Sequence, residues 1–290
     1  MDLDGDGHKD ILSGSYSRTG EKTMAGLFQM LRGKKDGTFH KAEAVKGTDG
    51  EPLIIPADDD DQVTEKICTR PFAADWDGDG HLDLVVGNFA GSFYCFKGEG
   101  KGKFRPKPEP IKSGKESLRV KGHHSDPFVV DWDGDGDLDL LSGSSDGGVQ
   151  WAENTAGKGK APDLKSFEPL IKPGREAKYG EPLGEADLKG PTTSTRVWVA
   201  DVNGDGKPDL LVGDSVTLIA PAKGVSADDF KKRFAAWQEK VDEASKALSS
   251  GKASQEEREK ANQEFQKVYQ SRTGFMAEDR TGFVWLYLRK

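Results

Sequence analysis

Sixteen aspartates fall into four nine-residue stretches: DLDGDGHKD at 2–10, DWDGDGHLD at 75–83, DWDGDGDLD at 131–139 and DVNGDGKPD at 201–209. Side-chain oxygens recur at the first, third, fifth and ninth places. They belong to Asp2, Asp4, Asp6 and Asp10; to Asp75, Asp77, Asp79 and Asp83; to Asp131, Asp133, Asp135 and Asp139; and to Asp201, Asn203, Asp205 and Asp209. The seventh place, His8, His81, Asp137 or Lys207, is expected to offer its backbone carbonyl. Glycines at the fourth and sixth places let the backbone curl so that alternate side chains converge. Converging carboxylates repel one another and become tolerable around a cation. An all-oxygen shell of six to eight ligands with flexible geometry suits Ca²⁺, whereas Mg²⁺ demands a tight octahedron and keeps its waters. The spacing therefore predicts about four Ca²⁺ ions, one per loop.

The loops begin like an EF-hand and then depart from it. An EF-hand needs a bidentate Glu at its twelfth place and leads into a helix; here that place holds Ser13, Val86, Ser142 or Val212, and an apolar strand follows. The charge balance agrees with bound cations. The net charge is −8, the loops hold sixteen of the fifty acidic residues, and four divalent ions would bring the total to about zero. The fourth loop carries Asn203 in place of a carboxylate and Pro208 at its eighth place. Fewer charges weaken binding, so this loop is expected to release its ion first.

The elements around the loops set the fold. Each loop is followed by an apolar strand ending in Gly (ILSG, LVVG, LLSG, LLVG), and three are preceded by one (PFAA, PFVV, VWVA). A turn and another strand-like run come next (GLFQML, SFYCF, GVQWAEN and finally GFVWLYL), and after the first three a further segment (TFHKAEAV, KFRPKPEPI, SFEPLI). Short antiparallel strands joined by turns form a meander. A repeated four-stranded unit of about 60 residues is the signature of a β-propeller blade. The predicted fold is thus all-β: one β-propeller domain over 1–290 with about four blades, starting near residues 2, 75, 131 and 201. Residues 224–273 break the pattern. Phe230, Phe234, Trp237, Val241, Ala244 and Leu248 share one helical face, and Ala261, Phe265, Val268 and Tyr269 lie on a second helix. Ser226 with Asp229 and Ser254 with Glu257 read as starts. The segment is expected to be a helical hairpin inserted within the last blade.

Composition limits the remaining classes. An apolar fraction of 34% and 36 glycines fit a turn-rich β protein. An acidic chain is repelled by phosphate backbones, so nucleic acid is not an expected partner, and no apolar run is long enough to span a bilayer. Cys68 and Cys95 sit in strand-like segments and are expected to be buried free thiols. The run Asp58–Asp61 reads as a solvated loop tip. Met1 is followed at once by the first Asp loop, with no strand before it, which predicts a fragment or an internal start.

The motif D-x-[DN]-G-D-G-x-x-D followed by an apolar strand and Gly resembles the FG-GAP/VCBS repeat, related to the blades of the integrin α-subunit propeller. The resemblance covers about 235 residues, all but the hairpin. It implies a β-propeller with Ca²⁺ in the loop joining the first two strands of each blade. It also implies an extracellular, periplasmic or cell-surface protein used in adhesion or recognition. Since such propellers usually close with about seven blades, four repeats imply that part of the ring is missing. With the Asp loops on one face, the opposite face carries the loops entering each first strand: CTR at 68–70, HHSD at 123–126 and STR at 194–196. Arg70, His123, His124, Asp126 and Arg196 are the candidate ligand-binding residues there, suited to an acidic glycan or a protein carboxylate. The adjacent histidines have no further His or Cys at zinc-like spacing. No H-E-x-x-H or P-loop is present, so a binding module is expected. A polysaccharide lyase or hydrolase using His123 with Arg70 and Arg196 is the alternative, and a purely structural part of a larger surface protein is a third reading.

Overall fold

The computed structural model describes residues 1–17, 24–56, 63–174, 181–248 and 255–290. The Asp58–Asp61 run, the link between the two helices and Ser254 lie outside these residues. The chain separates into two compact units. The first comprises Met1–Gly174, Gly190–Asp214 and Phe283–Lys290, and the second Arg175–Lys189 and Ser215–Gly282.

In chain order, β1 (Ile11–Gly14), β2 (Phe28–Leu31) and β3 (Glu43–Ala44) form the first sheet, and the short helix α1 (Val63–Lys66) follows. The second sheet is β4 (Arg70–Ala74), β5 (Asp83–Gly87), β6 (Phe93–Phe96) and β7 (Glu109–Pro110). A small hairpin, β8 (Lys112–Ser113) with β9 (Glu116–Ser117), precedes the third sheet: β10 (Asp126–Val130), β11 (Asp139–Gly143), β12 (Val149–Ala152) and β13 (Glu168–Ile171). In the first unit β14 (Thr193–Ala200) precedes β15 (Asp209–Pro221), whose first residues pair with β17 (Val284–Tyr287). Within the first three sheets the strands pair antiparallel with their neighbours in sequence, as a meander requires, whereas β17 pairs with β15 across the intervening β16. The expected four-stranded unit is seen in full in the second and third sheets. Among the described residues, the first sheet has no strand ahead of its loop, and the fourth has no outer strand beyond β17 in this unit.

The sheets stack face to face in chain order, and the apolar pattern shows why. Strand β5 is buried along its whole length. Its Leu84 and Val86 pack with Phe28, Met30 and Leu53 of the first repeat, while Val85 packs with Val129 and Leu140 of the third. Strand β11 behaves alike: Leu140 faces the second sheet, and Leu141 packs with Val197, Leu210 and Val212 of the fourth. Side chains alternate along a strand, so a strand between two sheets must be apolar throughout. That explains why these segments read as continuous hydrophobic runs. The first unit is therefore a stack of antiparallel sheets, β-propeller-like in its arrangement.

In the second unit α2 (Ala227–Leu248) and α3 (Gln255–Gln270) lie side by side, and β16 (Met276–Thr281) pairs with the later residues of β15. Ser226 Oγ accepts the N–H of Asp229 at 3.2 Å and caps α2. Phe230, Phe234, Trp237 and Val241 are buried with Phe275 and Met276, and Phe265, Val268 and Tyr269 pack against them half-buried. Trp237 Nε1 donates to the Val268 carbonyl at 2.9 Å. The apolar stripes of the hairpin are thus used within this unit.

Candidate functional site

The four Asp loops share one backbone path. All eight of their glycines are left-handed, with φ between +75° at Gly78 and +96° at Gly136, which other residues adopt only under strain. The first carboxylate accepts the N–H of the sixth residue: Asp2 from Gly7 at 2.9 Å, Asp75 from Gly80 at 3.0 Å, Asp131 from Gly136 at 3.0 Å and Asp201 from Gly206 at 2.9 Å. The fifth accepts the N–H of the seventh: Asp6 from His8, Asp79 from His81, Asp135 from Asp137 and Asp205 from Lys207, at 2.8–3.0 Å. These bonds turn the peptide donors onto the carboxylates and wind the acidic side chains together. Oxygens of Asp2, Asp4 and Asp6 lie within 4.8 Å of one another, as do those of Asp75, Asp77 and Asp79, and of Asp131, Asp133 and Asp139. In the fourth loop the Asn203 amide donates to Asp205 Oδ2 at 3.1 Å and occupies it.

The donor set fits a hard cation. Asp75 Oδ1, Asp77 Oδ1 and Asp137 Oδ1 are buried oxygens with no hydrogen-bond donor. A buried acceptor left unpaired is costly, and a cation held in each of the two loops would remove the cost. Asp137 changes its expected part. Besides a carbonyl it brings a side chain that is 4% exposed, bonded through Oδ2 to the Gly157 N–H at 2.7 Å. Burial, together with the nearby Asp135 and Asp133, raises its pKa.

The ninth carboxylate proves to be an anchor. Asp10, Asp83, Asp139 and Asp209 are all buried. One oxygen of Asp10, Asp139 and Asp209 takes the N–H of the second loop residue: Leu3 at 2.8 Å, Trp132 at 2.9 Å and Val202 at 3.0 Å. The other oxygen, here including Asp83, takes an N–H from just beyond the hairpin's second strand: Gly33, Gly98, Asn154 or Arg289, at 2.7–2.9 Å. It ties the loop to the adjoining hairpin. Only in the third loop does it also stand in the carboxylate cluster, among the described residues.

Two cations that the sequence reading missed pair with carboxylates of these loops, and a third, Arg289, donates to the Trp132 carbonyl of the third loop. Lys97 Nζ lies 2.6 Å from Asp77 Oδ2 and 3.3 Å from Asp83 Oδ2, and Arg32 Nη1 lies 3.2 Å from Asp4 Oδ2. Burial works against the Lys97 charge, but its bonds to the two aspartates raise its pKa.

At the far ends of the first strands, five residues and so about 15 Å from the loops, part of the expected polar ring assembles. Arg70 Nε and Arg196 Nε lie 3.7 Å and 3.6 Å from the same atom, Asp126 Oδ1. Asp126 Oδ2 accepts the Val197 N–H at 3.3 Å. Burial raises the Asp126 pKa against the two guanidiniums, and both burial and the like charge of Arg196 work against the Arg70 charge. The three residues line a shallow depression of about 410 Å³ with Leu12–Tyr16 and Cys68–Pro71. His123 and His124 are not in that lining. They pack on Phe89, with ring centroids 6.1 Å and 4.3 Å away. Burial, with Arg70, Arg196 and His123 nearby, lowers the His124 pKa and favours the neutral ring.

The same entry segments hold a device that went unread in the sequence. Cys68, His124 and Ser194 all have left-handed φ, +57°, +59° and +50°. Each precedes a buried hydroxyl residue, Thr69, Ser125 or Thr195. Those hydroxyls accept the N–H of Ser15, Asn88 and Ser144 in the preceding repeat, at 3.2, 2.8 and 3.0 Å. The signal was the hydroxyl in C-T-R, H-S-D and S-T-R. Cys68 is accordingly a half-buried thiol outside any strand, a correction to its expected burial, while Cys95 is buried; both are free.

Comparison with known proteins agrees with the repeats. Residues 75–142 and 131–212 each match the family model of the FG-GAP-like repeat. Searches of curated proteins and of solved structures gave no match. Each matched stretch begins at one Asp loop and ends in the strand that follows the next. With its repeats matched in this way, the chain is an FG-GAP-like repeat protein.

Proposed function

We propose that this chain is a calcium-stabilised recognition module, with Ca²⁺ in the Asp loops and a ligand site at the opposite strand ends. The observation that carries the calcium part is the set of buried, donorless oxygens on Asp75, Asp77 and Asp137 beside converging carboxylates. The protein supplies Asp2, Asp4 and Asp6; Asp75, Asp77 and Asp79; Asp131, Asp133 and Asp139 with Asp135 and Asp137; and, most weakly, Asp201, Asn203 and Asp205. The ion joins the two strands leaving each loop and has a structural part. Millimolar calcium outside cells is enough to fill sites of this class, which favours an extracellular, periplasmic or surface location. Among the described residues, no helix is long and apolar enough to cross a membrane.

The ligand site is the Arg70–Asp126–Arg196 depression. Two guanidiniums share one carboxylate oxygen, so the site keeps a net positive charge, and Nη2 of neither arginine has a hydrogen bond among the described residues. A ligand carboxylate, on an acidic glycan or a protein, matches that donor set. The finer architecture is a set of blades within a larger propeller. Val284, Leu286 and Ile11 are exposed apolar residues on the outward faces of the end sheets, where further blades would stack. The test has two arms. Melting in Ca²⁺ and in EGTA addresses the loops, and binding to immobilised polygalacturonate and polyglutamate by wild type, Arg70→Ala and Arg196→Ala addresses the pocket. Equal melting curves would remove the calcium claim, and binding that ignores both arginines would remove the pocket.

A further inference from the structure

We propose that the chain grades its own calcium affinities through the residue facing the third place of each loop, with the third loop the tightest site and Arg32 and Lys97 acting as built-in counter-ions of the first and second. The inference rests on the calcium reading above and deepens it. Equivalent positions are defined by the anchor bond to the ninth carboxylate, whose donors are Gly33, Gly98, Asn154 and Arg289. The residue preceding each donor is therefore the same structural position in four repeats: Arg32, Lys97, Glu153 and Leu288.

In the first two repeats this residue is a cation on the third-place carboxylate, Arg32 on Asp4 at 3.2 Å and Lys97 on Asp77 at 2.6 Å. A cation there neutralises one ligand and repels an incoming ion. The Lys97 side chain is 21% exposed, so solvent screens that repulsion only in part. The third repeat reverses the sign. Glu153 is turned onto Lys165 at 2.7 Å, and none of the five loop carboxylates has an ion pair among the described residues. That loop also holds Asp137, nearly fully buried, with one oxygen unpaired and its carboxyl against Asp135 and Asp133. The fourth repeat has Leu288, which brings no charge, but Asn203 removes one carboxylate and blocks an oxygen of another. The order is third loop first, the first and second next, the fourth last.

The experiment is calorimetric titration of the full chain with Ca²⁺ after chelator treatment, on wild type and single variants. Asp133→Asn should abolish the tightest class of site. Lys97→Gln should strengthen one weaker site about three- to tenfold, the scale of a half-buried ion pair, while Lys97→Arg keeps the wild-type value. Glu153→Lys, a change at a partly exposed side chain, should weaken the tightest site by a similar factor; it keeps the test decisive if Lys97→Gln fails to fold. Calcium binding whose tightest class survives Asp133→Asn or ignores Glu153→Lys overturns this proposal and leaves the calcium reading intact. A wild-type chain that takes up no Ca²⁺ overturns the calcium reading, and this proposal with it.

Discussion

Ser125 Oγ accepts the backbone N–H of Asn88 at 2.8 Å, across the boundary between the second and third sheets. The same hydroxyl donates to the Ser92 carbonyl at 2.7 Å, and Ser125 is fully buried. Ser125→Ala leaves a buried donor and a buried acceptor unpaired, a loss of about 2 kcal/mol. Urea unfolding should show a lower midpoint with an unchanged slope. A midpoint equal to wild type would mean that the sheets are held by apolar packing without this bond.

Gly87 belongs to the same contact. A Cβ at Gly87 would stand 2.3 Å from the Ser125 carbonyl oxygen, a backbone atom that cannot step aside cheaply. The corresponding Gly213 in the fourth repeat would meet nothing nearer than Arg196 Cβ at 3.9 Å. Gly87→Ala should therefore destabilise by more than about 2 kcal/mol, while Gly213→Ala is near neutral. Comparing the two melting temperatures checks the lock without touching a metal ligand, and equal shifts would count against it.

Calcium removal should be felt as lost stability. An ion at tenfold saturation adds about 1.4 kcal/mol by mass action. Three or four occupied loops then contribute about 4–6 kcal/mol, a large part of a normal net stability of about 5–15 kcal/mol. Differential scanning calorimetry in EGTA should show the main transition lowered by roughly 10 °C, restored by excess Ca²⁺. Mg²⁺ should restore less, since it dehydrates reluctantly.

Asp126 gives the pocket a pH dependence with a definite sign. Its folded pKa is raised, first by burial, so its neutral form persists above the ordinary carboxylate value and it ionises as pH rises through the raised one. Ionised Asp126 competes with an external anion for Arg70 and Arg196. Anion affinity should fall as pH rises through the Asp126 titration, and Asp126→Asn should flatten that profile. Thermal shifts by sulfate against chloride at equal ionic strength measure it, with Arg196→Ala correcting for general salt effects. A wild-type profile as flat as that of Asp126→Asn would dismiss the competition.

The loops were legible because their chemistry constrains every place. Two glycines must take left-handed φ, and the acids must alternate, so nine residues spell the geometry. The helical stripe from Phe230 to Val241 was legible for the same reason, as a local period. The part played by Asp10, Asp83, Asp139 and Asp209 was half legible: their place in the motif marked them as ligands, but the anchor partner Arg289 lies 80 residues from Asp209. The Thr69, Ser125 and Thr195 locks were hidden because each hydroxyl bonds the preceding repeat, 37 to 54 residues away. Lys97 was hidden likewise, since nothing local marks a lysine twenty residues after Asp77 as its partner. His123 and His124 entered the expected ring through the alignment of the entry loops, which does not show that both rings rest on Phe89.

Glu65 sets the expected response to acid. Burial acts to raise its pKa, but hydrogen bonds from Ser92, Arg119 and Asn88 outweigh it and leave the pKa lowered from 4.5. Its carboxylate joins α1 to the second sheet, taking Asn88 Nδ2 at 3.2 Å and the Ser92 hydroxyl on Oε2, and Arg119 on Oε1. A depressed folded pKa stabilises the folded state above the unfolded value, and the contribution is lost as pH falls through the folded one. Glu65→Gln should therefore melt below wild type at neutral pH, and the gap should close as pH drops below about 4.5, where the unfolded group begins to hold its proton. Melting temperatures of the pair from pH 7 to pH 3, in buffer without Ca²⁺, isolate this effect from the loops. A gap that stays constant across that range would show that Glu65 acts through shape and neutral hydrogen bonds, with its charge contributing nothing.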